Sequence, residues 1–228
     1  MSIDEYFGSW MQVLDKQELI RINGFLKTVY SSKHPVCPRI TDVYRAFRLC
    51  SYEDLRVVFI GQDPYPQLGV ATGVLFGNKP DTPEDKLSPS LQKVKDCLVS
   101  NIYPQESVIF DITLESWAKQ GILMLNSALT VLCGLPNSHN MKWRPLISKL
   151  LKNLSMKRTA VIYVLFGSEA RTFAPYINNK NNYVIKCRHP AYYCRIGKPM
   201  PNVFSEINNL IHKLNGDYIE FYKQVKYE

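Results

Sequence analysis

The chain has 228 residues, 46% of them hydrophobic and 21% charged, a balance that supports a sizeable core and excludes wholesale disorder. Its length suits one domain, because single cores stop growing only beyond roughly 250 residues. The formal net charge of +8 favours a polyanionic partner, and without a Lys/Arg block resembling a disordered arm any basic face must be assembled by folding.

Taken in chain order, residues 10–30 have helical spacing of apolar and charged positions, and a second helix fits residues 40–50. Four apolar, β-prone runs follow, at 55–60, 122–125, 160–166 and 183–187. Helix-like segments at 90–98, 114–119, 145–154 and 168–176 lie between them, and a last helix fits 203–214. Near-continuous apolar strands alternating with helices predict a single α/β domain over 1–228. Its centre is a four-stranded parallel sheet flanked by helices on both faces. Within it, residues 1–50 form a helical segment, 51–216 the α/β core, and the rest a short tail.

The strand exits carry the chemistry. The first run delivers Gln62, Asp63 and Tyr65, the second Asn126, the third Gly167 and Ser168 at a helix start, and the fourth His189. Open parallel sheets bind ligands beyond the carboxyl ends of their strands. An acid, an amide, an anion-binding turn and an imidazole therefore share one rim. Each residue also has a plainer role when read alone. Asp63 is then a turn cap in an Asp-Pro step, Asn126 a strand-end turn residue, Phe76 core, and Ser168 a helix cap.

The six cysteines, at 37, 50, 97, 133, 187 and 194, include no C-x-x-C pair and no zinc-like Cys/His spacing. They read as free thiols of a reducing compartment, and no metal or cofactor is expected. The opening MSIDEYFGSW has two acids and no apolar h-region, and no run reaches the ~18 apolar residues of a membrane span. The expectation is an intracellular protein with no membrane partner, cytoplasmic or, in a eukaryote or its virus, nuclear.

The segment GQDPYPQLGVATGVLF, 61–76, resembles the water-activating loop and base-stacking Phe of the family-1 uracil-DNA glycosylases. LESWAKQGILMLNSALTV, 114–131, is similar to the family segment ending in its uracil-reading Asn. Pro89, Ser90 and Leu91 resemble its Pro-rich loop, Ser138 and His139 a smaller signature, VLFGS at 164–168 its Gly-Ser loop, and His189 and Pro190 the start of its intercalation loop. These matches run in family order from about residue 55 to 190; many in order carry far more weight than one motif.

The resemblance implies the following. Asp63 and His189 are catalytic: the carboxylate supports an oxocarbenium-like sugar and positions water, and a neutral imidazole donates to the 2-oxygen of departing uracil. Gln62, Tyr65, Phe76 and Asn126 hold the base. Ser90, Ser168, His139, Tyr193 and Arg195 contact DNA. The partners implied are uracil-containing DNA, single- or double-stranded, and a proteinaceous glycosylase inhibitor, the enzyme itself being a monomer. The target base must leave the stack before it can be attacked.

Two departures from the family pattern stand out. The usual GQDPYH here ends in Pro66, and the usual HPSPLS is HPAYYC at 189–194, with Ala191 for a serine and Tyr193 for the wedge leucine. Poxvirus members share the proline and a rewritten second loop; their polymerase-partner role is not carried over. The rewritten loop motivates a second expectation, a catalytically weak homologue that binds DNA or tethers a replication partner.

Overall fold

The computed structural model describes residues 2–100, 102, 107–157 and 159–225. Helix α1 (Ile3–Phe7) opens the chain and is closed by a capping box: the Glu5 amide donates to Ser2 Oγ (3.2 Å) and the Ser2 amide to Glu5 Oε2 (2.7 Å). The single helix expected over 10–30 is divided. A 3₁₀ turn (Gly8–Gln12) precedes α2 (Lys16–Tyr30), which starts at an Asp15 cap. Trp10 causes the break. Its buried indole N–H donates to the carbonyls of Phe47 (3.0 Å) and Cys50 (2.9 Å), which bends the N-terminal segment over α3 (Arg45–Leu49). The helix expected over 40–50 likewise resolves into a 3₁₀ turn (Ile40–Asp42) followed by α3.

The four expected runs become β2 (Val57–Gly61), β4 (Ile122–Asn126), β6 (Ile162–Phe166) and β7 (Tyr183–Cys187), joined in a parallel sheet of order β4-β2-β6-β7. Val57 is in register with both Ile122 and Ile162. Every residue of β2, β4 and β6 is buried, which is why they read as unbroken apolar runs; the edge strand β7 is only partly covered. Two-residue strands form antiparallel pairs at the margins: β1 (Val36–Cys37) with β5 (Val131–Leu132), and β3 (Val108–Ile109) with β8 (Lys223–Gln224). They are too short to leave a pattern in the sequence.

Helices α4 (Pro89–Val99), α5 (Glu115–Ala118), α6 (Asn140–Leu154), α7 (Gly167–Arg171), α8 (Pro190–Ile196) and α9 (Val203–Asn215) complete the fold. Helix α6 begins at Asn140 and not at Pro145, so the proline sits in its second turn. The carbonyl it leaves unpaired belongs to Met141, a 78% exposed residue at the solvent face where water can serve it. One contiguous core runs from Phe7 to Phe221. Trp117 ties the C-terminal segment to it, with its ring edge-on to Phe204 and Phe221 and its N–H donating to the Phe221 carbonyl (3.0 Å). Residues 226–228 of the expected tail lie outside the described residues. Among the described residues no helix is long and apolar enough to cross a membrane.

The sheet order positions the site. β2 has β4 on one side and β6 on the other, so the chain leaves β2 in one direction and later returns on its other flank. The crevice beyond the carboxyl ends of β2 and β6 is the topological switch point.

Candidate active site

A cavity of about 460 Å³ opens at that switch point, and Gln62, Asp63, Tyr65, Phe76, Asn126 and His189 all line it. Ser90, from the first turn of α4, and Ser168, from α7, face the same space.

The acid loop is stitched down immediately after β2. Gly61 leaves room for its neighbours: a Cβ there would press on the side-chain ends of Leu75 and Asn126, which would have to shift. The Gln62 carbonyl accepts from Ser127 Oγ (2.7 Å) and from the Ala128 amide (3.0 Å). Asp63 Oδ2 accepts the Asn137 amide at 2.6 Å, and Oδ1 accepts Gln62 Nε2 at 3.2 Å. Burial raises the Asp63 carboxyl above its ordinary value of 3.8; those two hydrogen bonds work against the rise and nearby Glu169 adds to it.

Phe76 has φ +63°, a left-handed conformation that costs an L-residue roughly 1–2 kcal/mol. Its surroundings impose it. The Leu75 amide donates to Met124 (3.1 Å), the Gly77 amide to Val74 (3.1 Å), and the Phe76 carbonyl accepts the Tyr65 hydroxyl (3.1 Å). The ring is thereby set edge-on between Phe166 (5.2 Å) and His189 (5.4 Å). Burial raises the Tyr65 phenol, which stays protonated and able to donate. Asn126, 9% exposed at the end of β4, keeps a buried Oδ1 without a hydrogen-bond partner. Such an orphan costs roughly 1–3 kcal/mol, and the residue that carries it lines the cavity.

His189 caps α8. Its Nδ1 accepts the Ala191 amide (3.2 Å), so the neutral ring carries its proton on Nε2. Burial, with Arg195 adding to it, lowers the imidazole from 6.5 to about 4. The ring is therefore a neutral donor at ordinary pH.

Two of the expected DNA-contact residues lie off the cavity wall. His139 is 5% exposed, its Nδ1 paired with Thr130 Oγ1 (2.9 Å) and its ring edge-on to Phe25 (4.9 Å); it serves the core beneath α6 and does not line the cavity. Tyr193 was expected on a loop tip with no core to join. The segment is instead a helix, α8, and Tyr193 packs partly buried against the core. Its neighbour Tyr192 lines the cavity, stacked under Arg188 at 4.2 Å, and Arg195 lines it one turn further on. Sequence reasoning named Tyr192 only as an alternative wedge, and it missed Arg171 and Arg188 on the cavity wall and the Asn137 contact to Asp63.

The model of the uracil DNA glycosylase superfamily matches residues 47–212. A uracil-DNA glycosylase from Buchnera aphidicola subsp. Acyrthosiphon pisum is 34% identical over 188 residues, 80% of this chain and 83% of that one. One from Coxiella burnetii is 32% identical over 219 residues, 93% of each chain. The crystal structure of mimivirus uracil-DNA glycosylase superposes with a TM-score of 0.71 at 21% identity, covering 97% of this chain and 93% of that one. Family model and relatives agree with the cavity at the switch point: the chain belongs to the uracil-DNA glycosylase superfamily.

Proposed function

We propose that this protein is a family-1 uracil-DNA glycosylase that flips uracil out of DNA and hydrolyses its N-glycosidic bond, leaving an abasic site. One observation carries the reading: a buried, unpartnered Asn126 oxygen shares a cavity with the Asp63 carboxylate and a His189 held as a neutral Nε2–H donor. Asn126 Oδ1 accepts the uracil N3–H. Phe76 and Tyr65 wall the ring, Tyr65 where thymine would carry its methyl group. His189 donates to the departing 2-oxygen as anionic charge develops on the base. Asp63 lies under the sugar, stabilising its cationic character and directing water to it. Ser90, Ser168 and Arg195 hold flanking phosphates. The chain acts as a single-domain monomer on uracil-containing DNA. A mimivirus structural neighbour is solved in complex with UGI, which motivates the same class of inhibitor as a partner here.

A tethering protein is the second reading, favoured by the rewritten α8. The Asn126 orphan counts against it, since a tether gains nothing from keeping an unpaired buried oxygen. Uracil release from a labelled oligonucleotide separates the two: a glycosylase releases many equivalents per protein, and a tether one or none. Release is expected to persist in excess chelator, because no three His, Cys, Asp or Glu side chains among the described residues are grouped to hold a metal. Activity lost to chelator and restored by zinc or iron sinks the metal-free mechanism.

The wedge that fills the vacated stack is assigned to Tyr192, whose ring lines the cavity mouth. Aromatic stacking on a base is worth ~1–3 kcal/mol, so Tyr192→Ala slows excision from duplex DNA by roughly tenfold and spares single strands. Tyr193→Ala lowers the melting temperature instead. Equal losses on both substrates for Tyr192→Ala contradict the assignment.

A further inference from the structure

We infer that Asn137 is a positioning residue for the reaction, its left-handed backbone aiming an amide proton at Asp63 and fixing the carboxylate beneath the substrate. The inference rests on the glycosylase reading above. Asn137 lies 74 positions beyond Asp63, and its amide stands 2.6 Å from Oδ2. It holds φ +67°, a conformation costly for most side chains and tolerated best by Asn and Gly. The residue is exposed, so no core packing demands that conformation.

The surrounding turn is braced so that the amide cannot drift. Ser138 Oγ accepts the Leu132 amide (2.8 Å), the Ser138 amide donates to Leu135 (3.3 Å), and Asn137 Oδ1 accepts Asn140 Nδ2 (2.8 Å). The Gly134 amide reaches back to the Pro66 carbonyl at 2.9 Å. The segment from Leu132 to Asn140 therefore grips the acid loop at two points, Asp63 and Pro66. The proline itself supplies no donor, so the grip at Asp63 comes from outside the loop.

An amide bound to Oδ2 does two things. It leaves Oδ1, steadied by Gln62, for the sugar and the water. It also favours the ionised carboxylate in a setting that disfavours it. Glu169 of α7 opposes ionisation of Asp63, and the neutral His189 at the start of α8 lines the same cavity. Arg171, Arg188 and Arg195 are further along the cavity wall.

The test compares Asn137→Val with Asn137→Gly. Glycine adopts positive φ freely and keeps the amide aimed at Asp63 although it gives up the Asn140 bond, so its acid limb stays within a few tenths of a pH unit of wild type. Valine, branched at Cβ, swings the amide away. The acid limb of single-turnover excision then moves up by roughly one pH unit and the plateau falls roughly tenfold, with DNA affinity unchanged. The Asp63 carboxyl titration followed by NMR moves in the same direction, a readout that needs no activity. In an Asp63→Asn background, Asn137→Val has no further effect on the rate. If the valine variant folds poorly, Asn137→Ala shows a smaller shift of the same sign. An unmoved Asp63 titration, a glycine variant as impaired as the valine, or additive losses with Asp63→Asn overturns the inference. A wild type that releases no uracil refutes the glycosylase reading instead, and the titration still decides the role of Asn137.

Discussion

Replacing Asp63 with asparagine, or His189 with alanine, lowers the single-turnover excision rate by roughly 10²–10³-fold while DNA affinity changes little. In the proposed function both groups act on charge that exists only as the glycosidic bond breaks, so neither is expected to contribute much to the ground-state complex. The pH dependence follows from the same two environments. Asp63 works ionised, and its carboxyl is raised, so activity is lost as pH falls towards a value above 3.8. His189 works neutral and is held at about 4, so it contributes no limb near the ordinary histidine value of 6.5. The depressed histidine also bears on stability. The unfolded chain takes up its proton first, so stability falls as pH drops from about 6.5 towards about 4. Rate–pH profiles from rapid-quench excision check this. A His189→Ala variant at wild-type rate, or an activity limb centred near 6.5 that His189→Ala removes, contradicts the assigned role.

Base selectivity is expected to change at Asn126 and Tyr65. Asn126 lies at the end of β4 on the cavity wall, with its Oδ1 buried and unpartnered, and the proposed function has it read the base. A carboxamide can match the uracil edge with one acceptor and one donor. Asn126→Asp replaces the donor with a second acceptor, which suits the exocyclic amine of cytosine. Cytosine release then becomes measurable, and uracil release falls by roughly 10²–10³-fold, the scale of a buried polar group left mismatched. Tyr65 is held over the pocket by its bond to the Phe76 carbonyl. Tyr65→Ala removes a steric wall and raises thymine release by roughly 10–100-fold, because one methyl group is worth ~1–3 kcal/mol of discrimination. Free-base release from oligonucleotides carrying uracil, cytosine or thymine at one position measures both. Unchanged selectivity in both variants removes these residues from the base pocket.

The sheet was legible because β2, β4 and β6 are buried throughout, leaving apolar runs with no competing pattern. That Gln62, Asp63, Tyr65, Phe76, Asn126 and His189 would share one cavity was legible because each sits within a few positions of a strand end or in the one Gly-rich loop, so a local motif names it. Contacts that depend on long-range folding were not. The bend at Trp10 needs carbonyls from Phe47 and Cys50, and the Asn137 amide meets Asp63 from 74 positions further along the chain. The segment at 190–196 was misjudged for another reason. Its resemblance to an intercalation loop hid a local helix signal, a proline in the first turn and a glycine just past the end at Gly197, φ +62°. Within α8, Tyr192 and Arg195 line the cavity while Tyr193 packs partly buried against the core. His139 was singled out by its signature alone, and its side chain belongs to the packing beneath α6.

The most direct test is a single assay on a DNA strand containing uracil, thymine, cytosine, adenine and guanine at separate known positions. The strand is incubated with the purified protein, treated with alkali and sized. Uracil excision predicts cleavage at the uracil position alone, appearing only after alkali, with free uracil recovered in equal amount. An intact strand after alkali contradicts it, as does a break that precedes alkali or cleavage that ignores which base is present.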